Sequence, residues 1–404
     1  MPGSHFDVVV VGAGAAGIAA ARMLQAEGAN YIVLEASSRL GGRALTDRSL
    51  GYPIDMGATW LHSADENILA EAPSAPFAED TSESRVFLDD APRWASPEEQ
   101  EACRNYLDDC ETRVVQAGED GIGASIDQVV GHNSPYRRHF DWWCGAYTSV
   151  LPERVSALDW YRYHDTDANW TVPGGYGEHI ICRAEGLNIQ RDTPVLTIVE
   201  RASGVRVTTP AGMLDARAVV VTASTDALQR IIFEPELPPE KHAALARLPL
   251  GRTNKVAMRF DRLDPEWCHA RSAVLSVQFG RHNRPIAELF LDAAVVQALE
   301  AGGESAQIDF VMQQFCAMYG SAIRPRMQAA RASNWGQVPW IWGAYSAMTP
   351  GGGDPRQDLA EPLADKLFFA GEATHPYFFS TAHGAWETGL RAANEALATH
   401  SDAE

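Results

Sequence analysis

The first apolar block of the chain, Phe6 to Val11, is short and nearly unbroken, the pattern of a strand buried on both faces of a parallel sheet. A glycine-rich turn follows it. Small and apolar residues from Ile18 to Glu27 then predict a helix, and Tyr31 to Leu34 a second buried strand. Further on, Leu187–Gln190, Val195–Glu200, Gly204–Thr209 and Ala216–Thr222 read as short β-branched strands separated by turn residues. The stretch Asn254-Lys-Val-Ala-Met-Arg-Phe260 alternates as a strand does. Thr381 stands as N-cap of a helix running from Ala382 to about Thr399.

The turn after the first strand is Gly12-Ala-Gly14-Ala-Ala-Gly17, and an acid, Glu35, closes the second strand 18 residues beyond the last glycine. Each part has a mechanical reason. Gly12 permits the tight turn, Gly14 lets backbone approach a pyrophosphate, and Gly17 allows close helix–strand packing. Free N–H groups and the positive dipole end of the helix suit a diphosphate, and Glu35 can accept hydrogen bonds from a ribose diol. A GxGxxG alone is a weak signal, but here strand, helix and acid fall in register. The run continues as Glu35-Ala-Ser-Ser-Arg39-Leu-Gly41-Gly42-Arg43, in which Gly42 and Arg43 add a second backbone turn and a cation.

Composition narrows the field. With 404 residues, 46% hydrophobic and 21% charged, the chain exceeds one core, and two domains, interleaved or not, are expected. A net charge of −20 argues against a nucleic-acid partner, whose phosphates need a basic face. Six scattered cysteines form no CxxC pair and no His/Cys cluster, so neither a metal site nor a disulfide framework is predicted. The N-terminus runs straight into a strand and the C-terminus ends polar. The expectation is a cytoplasmic protein with no membrane partner. Only Lys241, Lys255 and Lys366 are lysines among 33 basic residues, which makes each of them conspicuous.

The E-x-x-x-R-x-G-G-R run resembles the FAD branch of the dinucleotide-binding fold, in its glutathione-reductase-like group. Further segments are similar to the flavin amine oxidase family: Ile54-Asp-Met-Gly57-Ala58-Thr59-Trp60-Leu-His62, Leu250-Gly-Arg-Thr-Asn-Lys255-Val, Asn334-Trp335 through Gly343-Ala-Tyr345-Ser, Leu367-Phe-Phe-Ala-Gly371-Glu372-Ala-Thr, and Thr381-Ala382-His-Gly-Ala. These motifs keep family order over nearly the whole chain. The resemblance implies an α/β fold in which a Rossmann-like FAD-binding domain (1–75, 175–250 and 355–404) is interleaved with an α+β substrate-binding domain. The latter comprises a largely helical 76–174 and a strand-rich 251–354. The strands of 186–222 become the adenine-side sheet, with Val195 a candidate for backbone contact to the adenine.

The same resemblance assigns roles. Lys255 corresponds to a lysine that binds a water beside flavin N5 and assists reoxidation by O₂. Tyr345 matches an aromatic-cage tyrosine that steers the amine. Thr381 occupies the place of the second cage tyrosine of monoamine oxidases, as a threonine does in the histone demethylases, so a two-tyrosine sandwich is in doubt; Tyr377, Phe378 and Phe379 are candidates for the missing wall. Glu372 is implied to bond the ribityl or diphosphate region, Trp60 and Trp335 to pack near the isoalloxazine, and the helix opening at Ala382 to face its C2=O edge. His62 either faces substrate or is a structural histidine. Ala344 stands where monoamine oxidases carry the cysteine that binds flavin covalently, so FAD is expected to be non-covalent.

Amine oxidation moves a hydride from the carbon next to nitrogen to flavin N5, giving imine and then aldehyde, with O₂ reduced to H₂O₂. A small-molecule amine is the expected substrate; oligomeric state is left open. Two alternatives use the same scaffold. An L-amino acid oxidase needs an arginine clamp on the carboxylate, for which Arg137, Arg138, Arg154 and Arg162 are available. A desaturase would act on a biosynthetic intermediate. From another class, a flavin-binding interaction scaffold sits poorly with the retention of Lys255 and Tyr345.

Overall fold

A computed structural model of the chain describes residues 5–71, 77–80 and 83–401; the expected 75/76 domain boundary, the first four residues and the last three fall outside these. Strands β1 (His5–Val11) and β2 (Tyr31–Leu34) lie side by side and parallel, with Val8 opposite Tyr31 and Val11 opposite Leu34. The short strand Ile189–Gln190 extends the sheet beyond β2. On the other side β1 pairs in parallel with β3 (Gly212–Val221), Val8 facing Ala218 and Val11 facing Val221. The ten residues of β3 serve two partners along one edge: the first half pairs antiparallel with Gly204–Thr209, the second half parallel with Leu367–Phe369. Thr197–Arg201 and Ile232–Glu234 complete the eight-stranded sheet.

Differences from the sequence pattern have local causes. Leu187 is not in a strand because its N–H closes a turn on Ala184 O, so only Ile189 and Gln190 pair. The strand expected at Val195–Glu200 is observed at Thr197–Arg201, and β3 starts earlier than Ala216 because the hairpin with Gly204–Thr209 continues to Gly212. The first helix, α1 (Ala15–Ala26), begins three residues before Ile18, since Ile18 N–H already reaches Gly14 O.

A second sheet of seven strands is built around β4 (Asn254–Phe260), which is flanked on both sides, by β5 (Ile286–Leu291) and by Met327–Ala332. Lys255 is therefore on an interior strand, not a solvated edge. Helix α2 (Pro97–Glu119) opens with a complete capping box between Ser96 and Glu99; α3 (Arg137–Thr148) and α4 (Ala157–Arg162) follow, and α5 (Gly303–Tyr319) covers one face of the second sheet with Val311, Met312 and Phe315. The last helix, α6 (Ala382–Ser401), packs along α1. Thr381 caps it, accepting from Gly384 N–H at 3.0 Å. Among the described residues no helix is long and apolar enough to cross a membrane.

The junction of β1, α1 and β3 is tight. Gly12 has φ +99°, and a Cβ on Gly17 would stand 1.9 Å from Gly12 O. Gly17→Ala should therefore lower stability by about 1–3 kcal/mol, the range for forcing atoms into a packed site. A thermal melt checks this, and an unchanged Tm would mean that α1 is free to move away from the turn.

Candidate functional site

One cavity of about 440 Å³ is lined from both sheets, and every predicted site residue lines it except Gly17 and Val195. Gly17 lies under the turn at the closest approach of helix to strand. Val195 is buried in the core cluster beside Ile198, Val207 and Val221. The cavity has two chemically different ends.

One end is rich in donors. Gly12 and Gly14 open it, with Ala15 and Ala16 from the start of α1, whose first turn contains no acidic residue and no side-chain cap. A Cβ on Gly14 would meet only Gly42 Cα, at 3.9 Å, so this face of the turn leaves room for a ligand. Glu35 is buried and fixed: Ala13 N–H reaches one carboxylate oxygen at 2.7 Å, and Ser37 N–H and O–H the other at 2.9 and 2.8 Å. Arg39 lies over the Trp335 ring at 5.7 Å, and Trp335 is itself held by an indole N–H bond to Met56 O at 3.0 Å. Free N–H groups, two arginines and an anchored acid suit the diphosphate and ribose of a dinucleotide.

Between the ends runs a buried ionic chain. Arg43 donates to Glu372 at 2.8 Å; Glu372 also accepts from Ser346 O–H at 2.7 Å and from Ser380 N–H at 2.9 Å. Arg356, 1% exposed, donates to Ser346 Oγ and forms a two-pronged pair with Asp159, both contacts 3.0 Å. Burial alone would raise the Glu372 pKa, but Arg43 and Arg356 outweigh it and hold the carboxyl below its ordinary value. Arg356 and Asp159 escaped the sequence reading; 197 residues separate them, and neither sits in a recognisable motif.

The other end is aromatic. Lys255 Nζ donates to Gly57 O at 2.6 Å and to Thr59 Oγ1, and lies 4.9 Å from the Trp60 ring and 5.8 Å from Phe290. Burial pulls its pKa down to about 8, against the opposing pull of Asp55 and Glu288. Trp60 is fixed by an indole bond to Asp80 at 2.6 Å. Tyr345 donates its hydroxyl to Ala146 O, and burial pushes the phenol's pKa up, so it stays neutral. His62 is driven toward neutrality by burial, and its Nδ1 donates to Asn169 Oδ1 at 2.5 Å, leaving Nε2 as an acceptor. Thr381 Oγ1 donates to Phe378 O at 2.6 Å while capping α6, so the hydroxyl is committed to backbone.

Of the three candidates for a further wall, Phe379 lines the cavity; Tyr377 is 58% exposed and Phe378 packs against His383 at 4.6 Å. The rest of the wall was missed: Trp143 and Tyr147, one helical turn apart on α3, with Trp160 and Tyr163. The (i, i+4) pair on α3 was the available signal. None of the four candidate clamp arginines lines the cavity: Arg137 is held by Asp127 and Asp141, Arg138 by Asp90, Arg162 by Asp354, and Arg154 is exposed. No cysteine lines it either.

Residues 15–89 and 77–397 match the family described as flavin containing amine oxidoreductase. Polyamine oxidase 4 of Oryza sativa subsp. japonica is 30% identical over 96% of this chain and 88% of its own length. Lysine-specific histone demethylase 1 homolog 2 of Arabidopsis thaliana is also 30% identical, over 98% of this chain and 59% of its own. Among solved structures, putrescine oxidase bound to putrescine superposes with a TM-score of 0.83 at 20% identity, covering 98% of this chain and 100% of that one.

The ionic chain makes a prediction independent of any ligand. Glu372→Gln leaves Arg43 and Arg356 without their shared counter-charge and should cost about 3–5 kcal/mol, the range for breaking one side of a buried pair. Because the folded carboxyl titrates below its ordinary value of 4.5, its stabilisation is complete above that pH and is lost as pH falls through the folded value. Urea unfolding of both proteins as a function of pH measures both effects; equal acid sensitivity would show that Glu372 carries no such charge.

Proposed function

The chain belongs to the family of flavin containing amine oxidoreductases, FAD-dependent enzymes, and we propose that it is an oxidase converting a small-molecule amine to imine and then aldehyde with release of H₂O₂. The observation that carries this reading is Lys255, a partly buried cation beside aromatic rings on an interior strand of the cavity wall. FAD, when bound, would supply the hydride acceptor and the electron route to O₂.

The residues divide the remaining work. Gly12, Gly14, Glu35, Arg39, Gly42 and Arg43 hold the diphosphate and ribose, and Glu372, Gly371, Ala382 and the start of α6 the ribityl and ring edge. The stretch Gly57–Trp60 and Trp335 pack the isoalloxazine. In domain terms, 1–75, 175–250 and 355–404 bind FAD, and 76–174 with 251–354 form the substrate side. Aromatic walls desolvate the incoming amine and favour its neutral form, the only one able to release a hydride. Tyr345, pinned through its hydroxyl, steers it. With Ala344 in the cavity wall and no cysteine there, FAD is held without a covalent bond. The absence of any candidate clamp arginine from the wall removes support for an amino acid oxidase. A cytoplasmic location is part of the same reading.

Two outcomes test it. Purified protein should be yellow, and acid precipitation should leave FAD in the supernatant; flavin retained in the pellet would refute the non-covalent assignment. Lys255→Met should slow reoxidation of the reduced enzyme by O₂ more than its anaerobic reduction by amine, because the first electron onto O₂ creates a negative charge that a nearby cation stabilises. In the unaltered protein that rate should fall as pH rises above about 8 and the ammonium is lost, and the Met variant should lack this dependence. Stopped-flow measurement of both half-reactions decides it. An unaltered reoxidation rate in the variant would make Lys255 structural.

A further inference from the structure

The chemistry of the aromatic end limits what kind of amine it takes. Trp143, Trp160, Tyr147, Tyr163 and Phe379 form one continuous wall, with successive ring centroids 5.0, 4.7, 5.4 and 5.5 Å apart. Trp60 and Phe290 also line the cavity, with the Lys255 ammonium 4.9 and 5.8 Å from their ring centroids. Such a surface offers π-faces and apolar area but few polar partners.

The carboxylates lining the cavity, among the described residues, are Glu35, Asp159 and Glu372. Glu35 lies at the donor-rich end and is occupied by Ala13 and Ser37. Asp159 is committed to Arg356 and to Met348 N–H, at 2.8 Å. Glu372 is committed to Arg43, Ser346 and Ser380. None is left to receive an ammonium. Asp165 is outside the lining and accepts from Tyr147 O–H at 3.4 Å.

This matters because oxidation requires the reacting nitrogen to be neutral. A monoamine that gives up its proton on entry brings no charge into the cavity. A diamine brings a second ammonium, which would be buried without a counter-ion and close to the like charge of Lys255. An amino acid brings a carboxylate to an end that, among the described lining residues, holds no arginine and one lysine, Lys255, whose ammonium is already bonded to Gly57 O and Thr59 Oγ1.

We propose that the cavity selects ring-bearing or otherwise apolar amines carrying a single ionisable nitrogen, and discriminates against di- and polyamines and against amino acids. The inference rests on the oxidase reading above for its chemistry but on the cavity wall alone for its selectivity.

The test uses the FAD-loaded enzyme, mixed anaerobically with 2-phenylethylamine, butylamine, 1,4-diaminobutane and L-phenylalanine. Binding is read from the perturbation of the flavin absorbance, and turnover from its bleaching. Phenylethylamine should exceed diaminobutane and phenylalanine in affinity by on the order of 100-fold, the scale set by an uncompensated buried charge. Butylamine should also exceed diaminobutane, which isolates the second charge at constant chain length. Diaminobutane binding as well as butylamine would overturn the proposal, as would failure of all four compounds to perturb the flavin. If phenylethylamine binds in the expected order but nothing bleaches the flavin, the selectivity stands and the oxidase reading falls.

Discussion

The structure depends on one buried ionic chain. Arg43, Glu372, Ser346, Arg356 and Asp159 come from five separate stretches of sequence, and 329 residues separate the first two. The chain ties the turn after β2 to α4, to the segment bearing Tyr345, to the strand end at Gly371 and to the loop before α6. A fully buried guanidinium is costly unless its donors are met, and Arg356 meets Asp159, Ser346 Oγ and Ala373 O. Satisfying those donors fixes the positions of all its partners at once. The cavity is the space these tied segments leave between the two sheets.

That arrangement separates two kinds of chemistry. Acids and arginines concentrate at the donor-rich end and in the ionic chain. Among the described residues that line the cavity, Lys255 is the cation of the aromatic end, beside Trp60 and Phe290. Asp55 and Glu288 lie close enough to favour that charge, and Arg281, 5.1 Å over the Trp60 ring, opposes it. A net charge of −20 favours the approach of cations over anions in general, while the carboxylates that line the cavity, Glu35, Asp159 and Glu372, are each already bonded to protein groups.

What could be read from sequence follows from how local each feature is. The Gly12–Gly17 turn and Glu35 lie within 24 residues, so the expectation of a dinucleotide site could rest on strand, turn, helix and acid falling in register. β4 announced itself by alternation and is observed at Asn254–Phe260 as expected. Beyond the (i, i+4) pair on α3, the aromatic wall left little trace in the sequence because it assembles from α3, α4, Tyr163 and Phe379, whose rings look like ordinary core. Arg356 and Asp159 were hidden for the same reason: an ion pair across 197 residues leaves no periodic trace. Strand ends such as Leu187 shifted because a turn hydrogen bond competes with pairing, and β-propensity carries no information about that competition.

The scarcity of lysine has a geometric explanation. Lys241 Nζ converges on the carbonyls of Asp358, Leu359 and Glu361; Lys366 Nζ on Glu200 and the carbonyl of Arg201; Lys255 Nζ on Gly57 O and Thr59. In each case two or more acceptors meet at one nitrogen. A tetrahedral ammonium at the end of a thin stem fits such a point, whereas the flat fork of arginine spreads its donors over several ångströms and suits paired oxygens, as Arg356 does with Asp159. Arginine also keeps its proton under all conditions, while burial brings Lys241 and Lys255 down to about 8. At Lys241 that shift accompanies the capping of a helix end. At Lys255 the same shift, placed on the wall of the cavity, gives the site a cation that can be present or absent within a unit or so of neutral pH, which no arginine could supply.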